Sequence, residues 1–363
     1  MSRGRVLVAM SGGVDSSVVA YLLKRQGYEC LGCTMRLATS EDTGEARERT
    51  CCSLDDVEDA REVCWRLGIR HHTFDYTERF ERDVIEPFVA DYEAGRTPNP
   101  CVACNRHLKF GALLDRALEL GCEWIATGHY ARVRQDGDGS WHLLKGVDAA
   151  KDQSYFLYSL GQDRLPHVLF PLGGMVKATQ VRAIAEEAGL VNARKRDSEG
   201  VCFLPDGTNH LRFIEQRRSH AFGQGKILDT SGTVLGTHDG AIRYTLGQRK
   251  GLGVAAARPL YVCGLDAQAN TVTLGDAEEL MRGSLVASDC LWIADATPTP
   301  PFRAGAKVRY HQPDQPCLVT PLGDGRVRLD FDEAQRAPMP GQAVVLYDGD
   351  EVLGGGTIES TMR

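Results

Sequence analysis

Residues 5–17 read RVLVAMSGGVDSS: an apolar run, a glycine pair, then Val14, Asp15 and two serines. The run is rich in valine and leucine and has the length of a buried strand. Gly12 and Gly13 let the backbone approach a ligand closely, and Asp15 or Ser16 suits the opening of a helix. A glycine turn between strand and helix aims backbone N–H groups and the positive helix end at an anion. Ser11, Ser16 and Ser17 add hydroxyl donors. The stretch lacks the lysine of GxxxxGK[ST] and the spacing of GxGxxG, so neither a Walker loop nor a dinucleotide turn is expected. On the residues alone, a capped strand-to-helix turn is the plainer alternative.

Outward from this loop, short β-rich runs alternate with helical patterns. The helix after the loop is expected to run from about Asp15 to Gly27. CLGCTMRL reads as a second strand, SLDDVEDAREVCWRLG as a helix capped by Ser53, and HHTFDYT as a third strand. ERFERDVIEPFVADYEAG and HLKFGALLDRALELG read as helices, and WIATGHY as another strand. Such alternation implies crossover units and a parallel α/β sheet, with ligands at the carboxyl ends of the strands. SGGVDSS, the end of CTMRL and TGHY all fall at such ends. Residues 39–50 are polar and charged and read as a loop. KATQVRAIAEEAG is helical in pattern. After about Phe203, GKILDTSGTVLGTHDG and LYVCGLDAQANTVTLGD read as hairpins. KVRYHQ, RVRLDF and QAVVLYDGDEVLGGGTI suggest a small barrel. The expected domains are 1–205, a parallel-sheet catalytic domain; 206–280, a β-rich central domain; and 281–363, a C-terminal β-barrel.

At 363 residues, two or three domains are the prior. No apolar stretch is long enough to span a bilayer, and the N-terminal run is too short for a signal h-region. A cytoplasmic protein with no membrane partner is expected. The net charge of −7 disfavours a broad nucleic-acid surface but allows a local basic face. Basic residues cluster at Arg194–Arg196, at Arg212, Arg217 and Arg218, at Arg243, Arg249 and Lys250, and at Lys307 and Arg309.

Twelve cysteines are many for such a chain. Cys64, Cys122, Cys263, Cys290 and Cys317 each stand alone in apolar patterns and read as core residues. Cys30 with Cys33, Cys51 beside Cys52, and Cys101 with Cys104 have spacings that point to metal or sulfur chemistry in a reducing compartment. In GRTPNPCVACNRHLKF, residues 95–110, two prolines stiffen the chain before a helix. Cys104 is expected at the start of that helix, beside Arg106, where a thiol ionises more readily. CVAC as half of a zinc site lacks a second pair at the usual spacing. Cys202, in DSEGVCFLPDG, reads in isolation as a buried core cysteine.

SGGVDSS resembles the PP-loop of the ATP pyrophosphatases, which holds the β,γ-pyrophosphate as a leaving unit. The set SGGVDSS, GRTPNPCVACNRHLKFGALL, ATGHYAR, KDQSYFL, DSEGVCFL, YTLGQRKGLG and MPGQAVVLYDGDEVLGGG, in this order, resembles the tRNA-specific 2-thiouridylase (MnmA) family over nearly the whole chain. The resemblance implies ATP-dependent replacement of the C2 oxygen of a tRNA wobble uridine by sulfur. It implies that Ala9, Met10, Ser11, Gly12, Gly13, Val14, Asp15 and Ser16, with Met35 and Gly128, hold ATP, and that Asp15 is a partner for Mg²⁺. Cys202 is implied as the carrier of a persulfide delivered by a sulfur donor protein, and Cys104 as the nucleophile that releases the sulfur, closing a disulfide with Cys202. Asn99, Pro100 and Cys101 are implied to face the target base. Lys151, Asp152, Gln153, Arg309, Tyr310, His129 and Gln342 are implied to contact tRNA, at its anticodon stem-loop.

Some members of the family carry aspartate where this chain has Cys101. That substitution makes Cys101, Cys104 and Cys202 a candidate ligand set for a [4Fe–4S] cluster, as an alternative to persulfide chemistry. Two rival functions share the loop: an amidating synthetase, which has no use for Cys104 and Cys202, and a sulfur carrier or tRNA-binding module without ATP chemistry.

Overall fold

The computed structural model describes residues 3–37, 54–197, 200–204, 210–218 and 223–363. The expected 39–50 loop, the Ser53 cap and the Cys51–Cys52 pair lie outside these residues. In chain order the first half contributes strands β1 (Arg5–Ala9), β2 (Glu29–Arg36), β3 (Arg70–Asp75), β4 (Trp124–Ala126), β5 (Ala131–Gln135), β6 (Trp141–Lys145) and β7 (Val168–Leu169). Five of them form a parallel sheet in the order β3-β2-β1-β4-β7. The chain reverses its direction of growth across β1, which opens a crevice beyond the carboxyl ends of β1 and β4. The glycine loop and Thr127–His129 stand at those ends.

Both faces of this sheet are covered. Leu7 packs with Phe110, Leu113 and Leu114 of helix 100–119, while Val6 and Val8 pack with α1 (Val14–Arg25) and α2 (Leu54–Arg66) on the other face. A strand buried on both faces needs a continuous apolar run, as RVLVA supplies. Side chains alternate along a strand, so Cys30 and Cys33, three apart on β2, fall on opposite faces and in separate cores. They cannot share a metal. Burial pushes the Cys30 thiol up to about 11, against the pull of Lys24, and raises Cys33 further. Cys64, Cys122 and Cys317 are buried, as their patterns suggest, while Cys263 and Cys290 are half-buried.

The middle of the chain forms β8 (Gly225–Asp229), β9 (Val234–His238), β10 (Tyr261–Asp266) and β11 (Thr271–Gly275), ordered β10-β11-β8-β9. Its two antiparallel hairpins are joined by the parallel β8–β11 pair. The last part contains β12 (Met281–Trp292), β13 (Phe302–Lys307), β14 (Gln315–Gly323), β15 (Arg326–Arg336), β16 (Ala343–Asp348) and β17 (Glu351–Met362). These six strands close on themselves through β12–β17 around Leu285, Val319, Leu329, Leu346 and Ile358. The expected parallel α/β sheet, β-rich centre and terminal barrel are therefore all present.

One element departs from the expectation. WIATGHY is a strand only to Ala126, after which the chain leaves the sheet. Residues 131–145 then form the β5–β6 hairpin, and β6 pairs with β17 of the barrel (Glu351 with Leu144, Val352 with Leu143). The parallel-sheet half thus donates two strands to the barrel's sheet. Behind this junction Asp152 is 6% exposed. Its carboxylate accepts from Gly146 N (2.9 Å), Ser154 N (3.1 Å) and Ser154 Oγ (3.1 Å), and pairs with Lys307 of β13 at 3.4 Å. Arg132–Asp350 (2.7 Å) and Lys145–Asp314 (2.8 Å) add ion pairs across the same seam.

Replacing Asp152 by Ala strands the Lys307 ammonium, whose side chain is 12% exposed, and orphans two backbone amides. Urea denaturation of Asp152→Ala is expected to show a loss of about 3–5 kcal/mol, the range for breaking a buried pair from one side.

Candidate active site

The loop after β1 is tied down from several directions. Met10 N donates to Cys33 O at 2.7 Å, and Thr34 Oγ1 donates to Met10 O at 2.8 Å. That hydroxyl has one proton, so in its 2.9 Å contact with His71 it accepts from Nε2–H. Ser16 Oγ accepts from Ser11 N (3.2 Å) and donates to Gly13 O (3.1 Å), and Ser17 Oγ donates to Gly13 O (3.0 Å). Gly12 has φ +72°, and a Cβ there would run into the backbone of Asp56. Only glycine meets both conditions. Gly128, after β4, lies against the start of α1: a Cβ on it would sit 3.0 Å from Asp15 Cβ and 3.2 Å from Ser16 N.

The loop contains no lysine, but the fold brings two to it. Lys177, which opens helix 177–187, places Nζ 2.7 Å from Asp15 Oδ2, across 162 residues of chain. Lys195 Nζ reaches Gly12 O at 3.4 Å and pairs with Asp56 (2.7 Å) and Asp59 (2.5 Å). Asn192 Nδ2 donates to Gly12 O (2.9 Å) and Ser17 Oγ (2.8 Å). Asp15 Oδ1 accepts from the Tyr130 hydroxyl at 2.8 Å. Burial and the Asp15 carboxylate raise the Tyr130 phenol far above its usual range, so it remains a donor. Asp197 gathers Lys177 (2.8 Å), Lys151 (2.9 Å) and Arg182 (2.8 Å). Burial raises its pKa, but hydrogen bonds from Lys177 and Lys151 outweigh that and hold the carboxyl at about 2. Sequence reasoning missed Lys177, Asn192, Asp197 and Tyr130, because no local pattern marks a residue that meets its partner only through tertiary structure. Lys195 stood in a basic cluster that suggested a solvent face, yet its ammonium turns inward.

The cysteines belong to helix 100–119 and to the segment around residue 202. Helix 100–119 begins at Pro100, with Asn99 extended before it (φ −117°, ψ 93°). Cys104 therefore lies a full turn inside the helix rather than at its start, and Cys101 takes the first turn. From Cys104 to Ala112 the helix is π-helical. Cys104 is buried among Leu37, Phe80, Val84, Leu108 and Phe203, and Cys202 packs against the same group. Met35, at the end of β2, touches this cluster and the main core. Residues far apart in sequence, Cys104 and Cys202, are thus brought together beside the glycine loop's sheet. Among the described residues no group of three or more His, Cys, Asp or Glu side chains is placed to hold a metal ion.

The barrel supplies the opposite wall. Gln342 Nε2 donates to Thr97 O (2.9 Å) and Pro98 O (3.2 Å), and Thr97 N donates to Pro340 O (2.8 Å). Residues 97–98, which lead into Asn99, are thereby clamped from the barrel side. Tyr310 stands by Phe156 with ring centroids 4.4 Å apart. Burial, with the nearby Asp152 and Cys101, pushes its phenol up to about 12. Arg309 donates to Ala337 O at 2.6 Å, and its Nε is buried with no partner among the described residues. His129 is 8% exposed, bonded to Thr127 Oγ1 at 2.7 Å and set against Phe110 and Phe170. Burial, then Lys109, depress its basicity strongly, so it is neutral. Asp152 and His129, expected at an RNA surface, have their side chains inside. Gln153 Oε1 accepts from Tyr130 N at 3.1 Å. Of the basic clusters, Arg217, Arg218 and Arg243 pair with Glu81, Glu86 and Glu215, whereas Arg194 is 91% exposed.

Residues 4–206 match the family described as the tRNA methyl transferase HUP domain. Residues 212–276 match the PRC-barrel domain of the same group, and 282–358 an aminomethyltransferase β-barrel domain. The chain is 51% identical over 364 residues to a tRNA-specific 2-thiouridylase MnmA of Geotalea uraniireducens, covering 99% of this chain and 96% of that one. The chain belongs to the tRNA-specific 2-thiouridylase family. It is 50% identical over 364 residues to the MnmA of Symbiobacterium thermophilum, covering 99% of this chain and 93% of the relative. With MnmA 1 of Clostridium botulinum strain Langeland it shares 45% over 355 residues, 98% of this chain and 99% of the relative. The chain is accordingly an enzyme of the tRNA sulfurtransferase class. No helix among the described residues is long and apolar enough to cross a membrane.

Two expected outcomes test the loop's geometry. Gly12→Ala forces a Cβ into a left-handed position against backbone, and chemical denaturation is expected to show a loss above about 1 kcal/mol. Burial first, and then the Arg61 and His72 charges, hold His71 down at about 4, below the usual imidazole range. Below pH 6.5 the unfolded chain takes the proton and the folded chain does not, so stability falls with acidification until about pH 4. His71→Gln is expected to flatten that part of a stability–pH profile measured by urea unfolding.

Proposed function

We propose that this enzyme replaces the C2 oxygen of the wobble uridine of tRNA by sulfur, using ATP to activate the oxygen and a cysteine persulfide to supply the sulfur. The observation that supports the reading is that Cys202 packs against the same apolar cluster in which Cys104 is buried, although the two lie far apart in sequence. An amidating synthetase has no use for that pair. A carrier module has no use for a loop held by so many bonds.

ATP fits the loop. Gly12 and Gly13 admit phosphate oxygens to the backbone, the first-turn amides of α1 point at them, and Ser11 stands exposed at the entrance. Ala9, Met10, Val14, Ser16, Met35 and Gly128 surround the nucleotide. Mg²⁺ fits as well, since each Asp15 oxygen has a lone pair beyond its bond to Tyr130 or Lys177. The metal supplies charge neutralisation for the departing pyrophosphate.

The uracil C2 oxygen is a poor leaving group, and attack on the α-phosphorus of ATP converts it to a phosphate ester while pyrophosphate departs. The base must leave the anticodon stack, at a cost of a few kcal/mol, and single-stranded loops permit this. Asn99, Pro100 and Cys101, which follow the Thr97–Pro98 backbone held by Gln342, face the extruded base, with Tyr310 and Phe156 as the aromatic wall. Lys151, Gln153 and Arg309 contact the RNA, while Asp152 and His129 hold that face from within. The terminal sulfur of the Cys202 persulfide, delivered by a sulfur donor protein, attacks C2, and AMP leaves with the bonding pair. The Cys104 thiolate then attacks Cys202 Sγ. The S–S bond breaks toward the base, giving 2-thiouridine and a Cys104–Cys202 disulfide that a thiol reductant reopens. No step is routed through an iron–sulfur cluster.

Incubation with unmodified tRNA, ATP, Mg²⁺ and a persulfide source, followed by nucleoside mass analysis, is expected to give 2-thiouridine. Cys202→Ser and Cys104→Ser are expected to abolish it, while pyrophosphate release continues. Full product from Cys202→Ser contradicts the reading.

A further inference from the structure

We infer that Lys177 is the phosphate-binding lysine that the glycine loop itself lacks, contacting the pyrophosphate portion of ATP from a helix remote in sequence. The inference deepens the function proposed above and rests on its nucleotide-binding reading.

Three observations point to it. First, the ammonium is placed at the loop: Nζ lies 2.7 Å from Asp15 Oδ2, in the first turn of α1, directly after the glycines. Second, the side chain is 9% exposed, which is unusual for a lysine and costly unless the charge is matched. Its matches are Asp15 and Asp197 at 2.8 Å, which employ two of its three N–H donors. A third donor remains for a ligand. Third, the ammonium belongs to a charged network at the loop that already brings two further cations to it. Asp15 and Asp197 face three cations, Lys151, Lys177 and Arg182, and the remaining nearby carboxylate, Asp148, accepts from the Lys177 backbone N at 2.9 Å. Its position is set independently of the ammonium, because this backbone bond fixes the start of helix 177–187.

The comparison with Lys195 sharpens the assignment. Lys195 is also beside the loop, but its ammonium is divided among Gly12 O, Asp56 and Asp59, all three protein acceptors. It holds the underside of the turn. Lys177 instead bonds the one carboxylate that belongs to the loop's own helix start, so it lies on the ligand side.

The test separates phosphate recognition from structural support. Binding of α,β-methylene-ATP, inorganic pyrophosphate and AMP, each with Mg²⁺, is measured by calorimetry for the full chain and for Lys177→Met, Lys177→Gln and Lys177→Arg. Both neutral variants are expected to bind the ATP analogue and pyrophosphate about 10- to 100-fold more weakly, the contribution of a charge-assisted hydrogen bond. AMP, which has no β- or γ-phosphate, is expected to bind within about twofold of the parent, and Arg to restore part of the loss. Melting temperatures establish that each variant is folded. Unchanged pyrophosphate affinity in a folded Lys177→Gln overturns the assignment. So does an equal loss for AMP, which marks a loop distorted as a whole. Failure of the unsubstituted chain to bind the ATP analogue overturns the nucleotide reading itself, and the lysine's role falls with it.

Discussion

Everything at the site depends on the seam between the parallel-sheet half and the barrel, and that seam is organised around one buried carboxylate. Asp152 ties its own strand-to-turn backbone to Lys307 across the boundary, while β6 continues the barrel's sheet beyond β17. A buried charged pair is an expensive way to add stability. What it secures is position. Tyr310 and Gln342 come from the barrel, Cys101 and Cys104 from helix 100–119, and they form one wall only if the two halves are rigidly registered.

The same economy governs the glycine loop. Its residues provide backbone donors and space, but almost no positive charge. Positive charge arrives from residues 177–197, which run beneath and beside the loop and lead directly toward Cys202. The charge at the loop and the Cys202 segment therefore come from neighbouring stretches of chain. The glycines are demanded by contact with Asp56 and Asp15, which are themselves held by the lysines.

Much of the fold was legible in the sequence because its signals are periodic. RVLVA must be buried on both faces, and the amphipathic helices that cover it read clearly. The β5–β6 hairpin was not read as part of the barrel, since its partner strand lies two hundred residues later and no local signal names it. Cys104 was placed too near a helix start because Pro100 at the first helical position moves the boundary upstream. The loop, Cys104 and Cys202 were legible as a set through the family's motifs. Lys177, Asp197 and Asn192 were not, because a lysine in a surface-like helix pattern looks the same whether it faces water or a carboxylate. Asp152 misled for a related reason: KDQSYFL marks the site without saying which of its side chains points inward.

The π-helical stretch from Cys104 to Ala112 acts as a phase shifter. An α-helix advances about 100° per residue, and a run of wider turns resets that count partway along helix 100–119. Downstream, Leu113, Leu114 and Ala117 keep their apolar face on the sheet. Cys104, the first residue of the stretch, and Leu108 within it turn into a different cluster, while Val102 just before it packs in the main core. The core and the chemistry thus make separate demands on the angle of a single helix, and the irregular turn lets each be met without compromising the other.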